Sequence, residues 1–137
     1  MVLPMRPLFS RLRFQSAAAE DLQDLLRELD GLEDGVRDGV ARGLAMMWDD
    51  LLERFGGISH FLETAEAESA AYLDQLGKIA RGMEASVAQK PYAIAAKAMI
   101  AYLGAFREDR PSSAAAELST RVAGLIGLGR DARRRGK

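Results

Sequence analysis

The most apolar stretch of the chain lies at residues 91–106, which read PYAIAAKAMIAYLGAF and contain one charged residue, Lys97. A helix over this stretch would be apolar on every side, and such a helix is normally buried. Its length would be about 24 Å at 1.5 Å per residue, which is shorter than the hydrocarbon layer of a membrane. The pattern therefore predicts the central helix of a bundle and no transmembrane segment.

Four other segments place apolar residues three or four positions apart, which is the spacing of one helical face. They lie within residues 22–29, 36–55, 61–87 and 118–128. The pair Gly56-Gly57 is a helix-ending signal, and Pro91 fits the first position of the central helix. We expect an all-α fold, an antiparallel bundle of about five helices around the central apolar helix (91–106). The last helix is expected to fray through Gly127 and Gly129.

Between residues 31 and 43 every fourth residue is a glycine followed by an aliphatic side chain. These glycines are Gly31, Gly35, Gly39 and Gly43. Each glycine inside a helix costs about 1 kcal/mol relative to alanine, but Val36 and Val40 continue a helical stripe. On a helix, the glycines would form a shallow groove that a second helix could approach closely. As an alternative, Gly31 or Gly35 ends the first helix and only the later glycines are helical.

The groove has two candidate occupants, another helix of the same chain or a partner chain, which includes a second copy of this protein. If the central helix fills it, we expect four of its small residues to lie there, namely Ala98, Ala101, Gly104 and Ala105. The candidate protein interface comprises Gly35, Gly39, Gly43, Val36, Val40 and Trp48. Trp48 belongs to it because tryptophan concentrates binding energy, although a core position with its ring nitrogen at the edge is the alternative.

Composition places the chain among folded globular proteins, with 48% hydrophobic and 28% charged residues in a length of 137. The net charge is −1, but both ends are basic and the segment between Glu20 and Arg54 is acidic. This layout favours basic ends that lie against an acidic body, within one molecule or between copies. We predict a single helical domain, residues 1–137, with an N-terminal arm (1–15) and a basic C-terminal tail (130–137).

The basic tail is a candidate site for polyanion contact, because its side chains could bind phosphates of a nucleic acid. These side chains are Arg130, Arg133, Arg134, Arg135 and Lys137. The chain shows no recognisable helix-turn-helix and no aromatic stacking platform, and its first half is acidic. We therefore favour a solubilising tail or an intramolecular clamp over nucleic-acid binding.

The first sixteen residues carry three arginines and no acid, which is typical of an organelle-import segment. Pro4 and Pro7 interrupt any long amphipathic helix there, which favours an arm docked on the bundle. The docking side chains would be Leu8, Phe9, Leu12 and Phe14. We expect a cytoplasmic protein, or one of an organelle matrix if the basic N-terminus is an import segment.

Catalytic and metal-binding patterns find little support. The absence of cysteine excludes disulfides, thiolate nucleophiles and cysteine-ligated metals. His60 is the single histidine, so a di-iron carboxylate site, which needs two Glu-x-x-His motifs, is excluded. His60 is also the one conventional base for a serine or threonine nucleophile. We expect no cofactor, no metal and no enzymatic activity.

The function that these observations favour is a non-enzymatic helical protein-interaction module. It would be self-associating, as a homodimer, or a small subunit or regulator that binds another protein. One alternative is a nucleic-acid-associated protein that uses the arginine-rich tail. A second alternative is a small-molecule-binding or enzymatic helical bundle with a pocket between helices.

Overall fold

The computed structural model describes residues 19–63, 66–83, 86–106 and 112–135. Six helices lie in these segments: α1 Ala19–Asp30, α2 Asp34–Phe55, α3 Ile58–Glu63, α4 Glu66–Gly82, α5 Lys90–Ala105 and α6 Ser113–Arg135. No strand occurs among the described residues, which confirms the predicted all-α fold. The structure has six helices where about five were predicted, because the helix predicted over residues 61–87 is divided into the short α3 and α4. The predicted N-terminal arm (1–15) lies outside the described residues.

Helix α2 contains three of the four repeated glycines. Gly31 lies outside it, in the turn after α1, where its N–H donates to the Arg27 carbonyl at 3.0 Å. The alternative in which Gly31 ends the first helix is therefore confirmed. At the other end, α2 stops at Gly56, which has a φ of 83° and donates its N–H to the Leu52 carbonyl. A side chain would strain this left-handed conformation, so glycine is the residue that allows the stop.

Helix α5 is buried along most of its length by α2, α4 and α6, each of which packs against it. Its buried residues are Ala93, Ile94, Ala95, Ala96, Ala98, Met99, Tyr102, Leu103 and Gly104. Lys97 is half-buried, and its Nζ lies 3.3 Å from Oε1 of Glu28 on α1. The charge within the apolar stretch is therefore paired, which offsets its desolvation and ties α1 to α5.

The first turns of α5 fill the glycine groove of α2. A Cβ added to Gly39 would lie 2.9 Å from Cβ of Pro91, and one added to Gly43 would lie 3.1 Å from Cβ of Ala95. Both rows advance by four residues, which is the ridge-into-groove arrangement expected of the repeat. We predicted that Ala98, Ala101, Gly104 and Ala105 would lie in the groove, whereas Pro91 and Ala95 occupy it. Trp48 of α2 meets Tyr102 of α5, and these two large rings keep the later small residues of α5 out of the groove.

Helix α6 approaches the backbone of α2 still more closely. A Cβ added to Gly129 would lie 2.0 Å from the carbonyl oxygen of Ala41 and 3.0 Å from Cβ of Ala45. The expected fraying through Gly127 and Gly129 is wrong, since α6 continues to Arg135. Gly129 lets the two backbones touch, and this contact supports the last turns of α6. Most of the predicted basic tail (130–137) is therefore helical.

None of the described helices combines the length and the apolar character needed to cross a membrane. The cytoplasmic location stays a prediction.

Candidate functional site

A cleft of about 580 Å³ opens between α2 and α4. We call it the α2–α4 cleft. The two helices form its walls and both pack against α5, whose first turn closes one end. Its large apolar lining residues are Met46, Met47, Leu76, Ile79, Met83 and Tyr92. Gly43 also lines the cleft, and because it has no side chain the Tyr92 ring can lie against α2.

Part of the apolar lining of the cleft is open to water. Met46 is 52% exposed and Tyr92 is 37% exposed. Val87, which is 91% exposed, lies outside the lining, in the turn between Met83 and α5. Methionine side chains are flexible and polarizable, and they are common on surfaces that adapt to a partner. An exposed apolar patch with a polar rim is typical of an interaction site or a ligand groove.

The polar residues of the cleft hold one another. Nε of Arg54 donates to Oδ1 of Asp50 at 3.2 Å, and the guanidinium lies over the Tyr72 ring, 5.7 Å from its centroid. The Tyr72 hydroxyl donates to the Met47 carbonyl at 2.8 Å and thereby joins the two walls. Burial and, to a smaller extent, the Asp50 carboxylate raise the pKa of Tyr72 well above its ordinary range, although Arg54 lowers it in part. Tyr72 is therefore a neutral hydrogen-bond donor near neutral pH.

The structure brings one residue of the predicted protein interface, Gly43, to the cleft. Gly39 faces Pro91, and Val40 is fully buried. Trp48 is half-buried and its ring meets the Tyr102 ring edge to face, with centroids 5.9 Å apart. At Gly39 and Gly43, the occupant of the glycine groove is thus α5 of the same chain.

The other predicted interface residues, Gly35 and Val36, lie in the first turn of α2, away from the cleft lining. Gly35 is exposed, with no atom within 4 Å of an added Cβ, and Val36 packs against the core. Met83 and Tyr92 were not among the predicted site residues. The adjacent Met46 and Met47 were a usable signal, because two methionines in succession on an amphipathic helix place at least one near its edge.

The predicted polyanion contacts are largely engaged within the chain. Arg130 and Arg133 both pair with Asp49 of α2, at 3.6 and 2.5 Å. Arg134 pairs with Asp131 on its own helix. Arg135 is the last residue of α6, and Lys137 lies outside the described residues. Arg130 and Arg133 thus hold the end of α6 against α2, as an intramolecular clamp would. The four described arginines outnumber these two carboxylates by two, and polyanion contact stays a prediction.

Ring nitrogen Nδ1 of His60 hydrogen-bonds the carbonyl oxygen of Phe55, at the end of α2. Within the described segments, no group of three or more histidine, aspartate or glutamate side chains is placed to hold a metal ion.

A second groove, of about 550 Å³, lies between the end of α1, the start of α2 and α6. Its lining is more charged, because Arg121 crosses it and pairs with Asp30 at 2.6 Å and with Glu117 at 3.0 Å. Leu128 lines it and is 41% exposed. This groove provides a matched comparison for the α2–α4 cleft, because each contains a large apolar side chain that is about half exposed.

The chain is a bundle of helices with one open, mainly apolar cleft and one more charged groove among its described residues. It matches no protein-family model, no curated protein and no solved structure.

Proposed function

We propose that the protein is a helical protein-interaction module without catalytic activity of its own, and that the α2–α4 cleft is its contact surface for another polypeptide. The observation that carries this proposal is the exposure of Met46 and Tyr92 on a cleft whose lining is mainly apolar. Full burial of a methionine side chain stabilises by about 1.5–3 kcal/mol, so covering half of Met46 would contribute about 1 kcal/mol.

The dimensions of the cleft support a helical partner. Its α2 wall extends from Gly43 to Arg54, which is about 16 Å at 1.5 Å per residue, or three helical turns. A partner helix in such a groove inserts apolar side chains at positions i, i+4 and i+7. The flexible methionines would adjust to the shape of those side chains.

The polar groups of the cleft support binding more than catalysis. Asp50 and Arg54 pair with each other, and the Tyr72 hydroxyl is held by a backbone carbonyl. The raised pKa of Tyr72 keeps its proton in place at neutral pH. Each of these groups is engaged within the cleft, where it shapes the binding surface.

Selection from a library of displayed peptides tests the proposal. The immobilised wild-type protein should enrich amphipathic helical peptides, and Met46→Glu should lose them because a charge would enter the apolar contact. Leu128→Glu is the matched control, since it adds the same charge at a similarly exposed apolar residue in the second groove. Equal enrichment by Met46→Glu, or enrichment by none of the proteins, would argue against the cleft as a polypeptide-binding surface.

A small apolar molecule is the second candidate occupant. The volume of about 580 Å³ falls within the range of roughly 300–1,000 Å³ that is typical of ligand pockets. A thermal-shift screen of small apolar and aromatic compounds would detect it. A compound that stabilises the wild-type protein, but not Met46→Glu, would support this second candidate over a polypeptide if the peptide selection fails.

A further inference from the structure

The sulfur atoms of the chain all belong to methionine, and most of the described methionines lie in the α2–α4 cleft. The sequence has six methionines and no cysteine. Of the four methionines that the structure describes, Met46, Met47 and Met83 line the cleft and Met99 lies in the core. A hydroperoxide oxidises accessible thioethers, and a chain without thiols offers it no faster-reacting sulfur.

Exposure ranks these four methionines. Met46 is 52% exposed, Met47 and Met83 are half-buried, and Met99 is completely buried. Because a hydroperoxide has to touch the sulfur atom, we expect Met46 to react first and Met99 to be spared. Oxidation should therefore change the cleft and leave the bundle folded, since the methionine of the described core keeps its apolar side chain.

Oxidation changes what the Met46 side chain can contact. The lone pair of the thioether sulfur attacks one oxygen of the hydroperoxide, an S–O bond forms, the O–O bond breaks, and the other oxygen leaves as water or as an alcohol. The sulfur loses two electrons and becomes a sulfoxide, which is polar. An apolar side chain of a partner that covers Met46 would then have to take the sulfoxide oxygen out of water, which is unfavourable without a replacing hydrogen bond.

Resting on the proposed function of the cleft, we infer that Met46 is a modification site that controls it: a hydroperoxide oxidises Met46 to the sulfoxide, and the bound polypeptide is released. A methionine sulfoxide reductase reverses the step, because it transfers two electrons from a dithiol to the sulfoxide and the oxygen leaves as water. The modification is thus a reversible control of the α2–α4 cleft, while burial protects Met99 inside the bundle.

Peptide mapping after graded doses of hydrogen peroxide tests the site of modification. The folded full-length protein is oxidised, digested and analysed by mass spectrometry, in which fragment ions separate the adjacent Met46 and Met47. Met46 should be oxidised several-fold faster than Met47 and Met83, and Met99 should stay reduced until urea unfolds the protein. Equal rates for Met46 and Met47, or early oxidation of Met99, would overturn the inference.

Binding of a peptide tests the consequence of the modification. The probe is a fluorescent copy of the peptide that the wild-type protein enriches most strongly from the displayed library. Fluorescence anisotropy gives its Kd before peroxide, after a dose that oxidises Met46 alone, and after reductase with dithiothreitol. Oxidation should raise the Kd about ten-fold, and the reductase should restore it. Met46→Gln, which has a polar side chain of similar length, should raise the Kd about as much without peroxide.

Met46→Leu is the oxidation-resistant control, because leucine keeps an apolar side chain of similar volume and contains no sulfur. Its Kd should stay within about three-fold of the wild-type value before and after peroxide, and circular dichroism checks that each protein stays folded. If peroxide weakens Met46→Leu as much as the wild-type protein, the sensitive group lies elsewhere and the inference is overturned. An oxidised wild-type protein that binds as tightly as the reduced one, or that the reductase does not restore, would overturn it as well.

The same measurements separate this inference from the proposed function. If the reduced protein binds peptides through the cleft and oxidation of Met46 leaves the Kd unchanged, the proposed function stands and the inference fails. If the reduced protein enriches no peptide, the cleft is not a polypeptide-binding surface and both proposals fail.

Discussion

Replacing Gly129 by alanine perturbs the closest contact between two helices of the fold. The added Cβ would lie 2.0 Å from the Ala41 carbonyl oxygen, whereas ordinary contacts begin near 3.4 Å. The carbonyl oxygen belongs to the backbone of α2, which cannot rotate away as a side chain could. Helices α2 and α6 would therefore have to separate by about 1.4 Å. Overpacking of this kind costs about 1–3 kcal/mol, and the upper end applies because no side chain can yield.

Alanine also has a higher helix propensity than glycine, which returns about 1 kcal/mol. We therefore expect Gly129→Ala to lower the free energy of unfolding by about 2 kcal/mol, a large part of the total for a domain of this size. Urea unfolding followed by circular dichroism, with linear extrapolation to water, measures this change.

The same helix supplies two controls. A Cβ added to Gly124 or Gly127 would meet no atom within 4 Å. Alanine at either position should therefore raise the free energy of unfolding by about 0.5–1 kcal/mol through propensity alone. If Gly129→Ala stabilises the protein as much as the controls do, α6 does not rest on the α2 backbone and the packing argument is refuted.

Three further changes test other parts of the structure. Gly39→Leu should lower the free energy of unfolding by about 1–2 kcal/mol, because the clash with the start of α5 costs about 2–3 kcal/mol and helix propensity returns up to about 1 kcal/mol. Gly35→Leu meets open space and should raise it slightly in the same urea titration. The raised pKa of Tyr72 means that the folded protein holds the phenol proton more tightly than the unfolded chain. Stability should therefore fall as the pH rises above about 10, and Tyr72→Phe should reduce this slope in urea titrations at several alkaline pH values. Asp49→Asn removes the shared partner of two arginines and should lower stability by about 0.5–1 kcal/mol, less at high salt, as measured by thermal unfolding in low and high salt.

Much of the fold follows from local patterns in the sequence. The apolar stripes place the helices, and Gly56 and Pro91 mark a helix end and a helix start where the structure has them. The start of the last helix is also fixed locally, because the Ser112 hydroxyl accepts a hydrogen bond from the Ala115 N–H at 3.1 Å. These features depend on residues within one or two turns of each other, so the sequence contains the information directly.

The features that sequence analysis missed depend on residues far apart in the chain. Glycine has a low helix propensity, so Gly129 by itself weakens α6. Its contribution to packing is visible only in the fold, where Ala41, almost ninety positions earlier, lies against it. The register of α5 on α2 was misjudged for the same reason. Small residues occur along all of α5, and the bulk of Trp48 and Tyr102 decides which of them reach the groove. Periodicity shows that two helices can approach closely, but it does not show where.

The α2–α4 cleft follows from the uneven distribution of small residues on α2. Where α2 meets α5 and α6 it presents Gly39 and Ala41, so those helices approach its backbone closely. Toward α4 it presents Met46, Met47 and Arg54, and the two helices make few contacts with each other. The Tyr72 hydrogen bond to the Met47 carbonyl spans the remaining gap. These large side chains hold α4 away from α2 and keep this third side of α2 open.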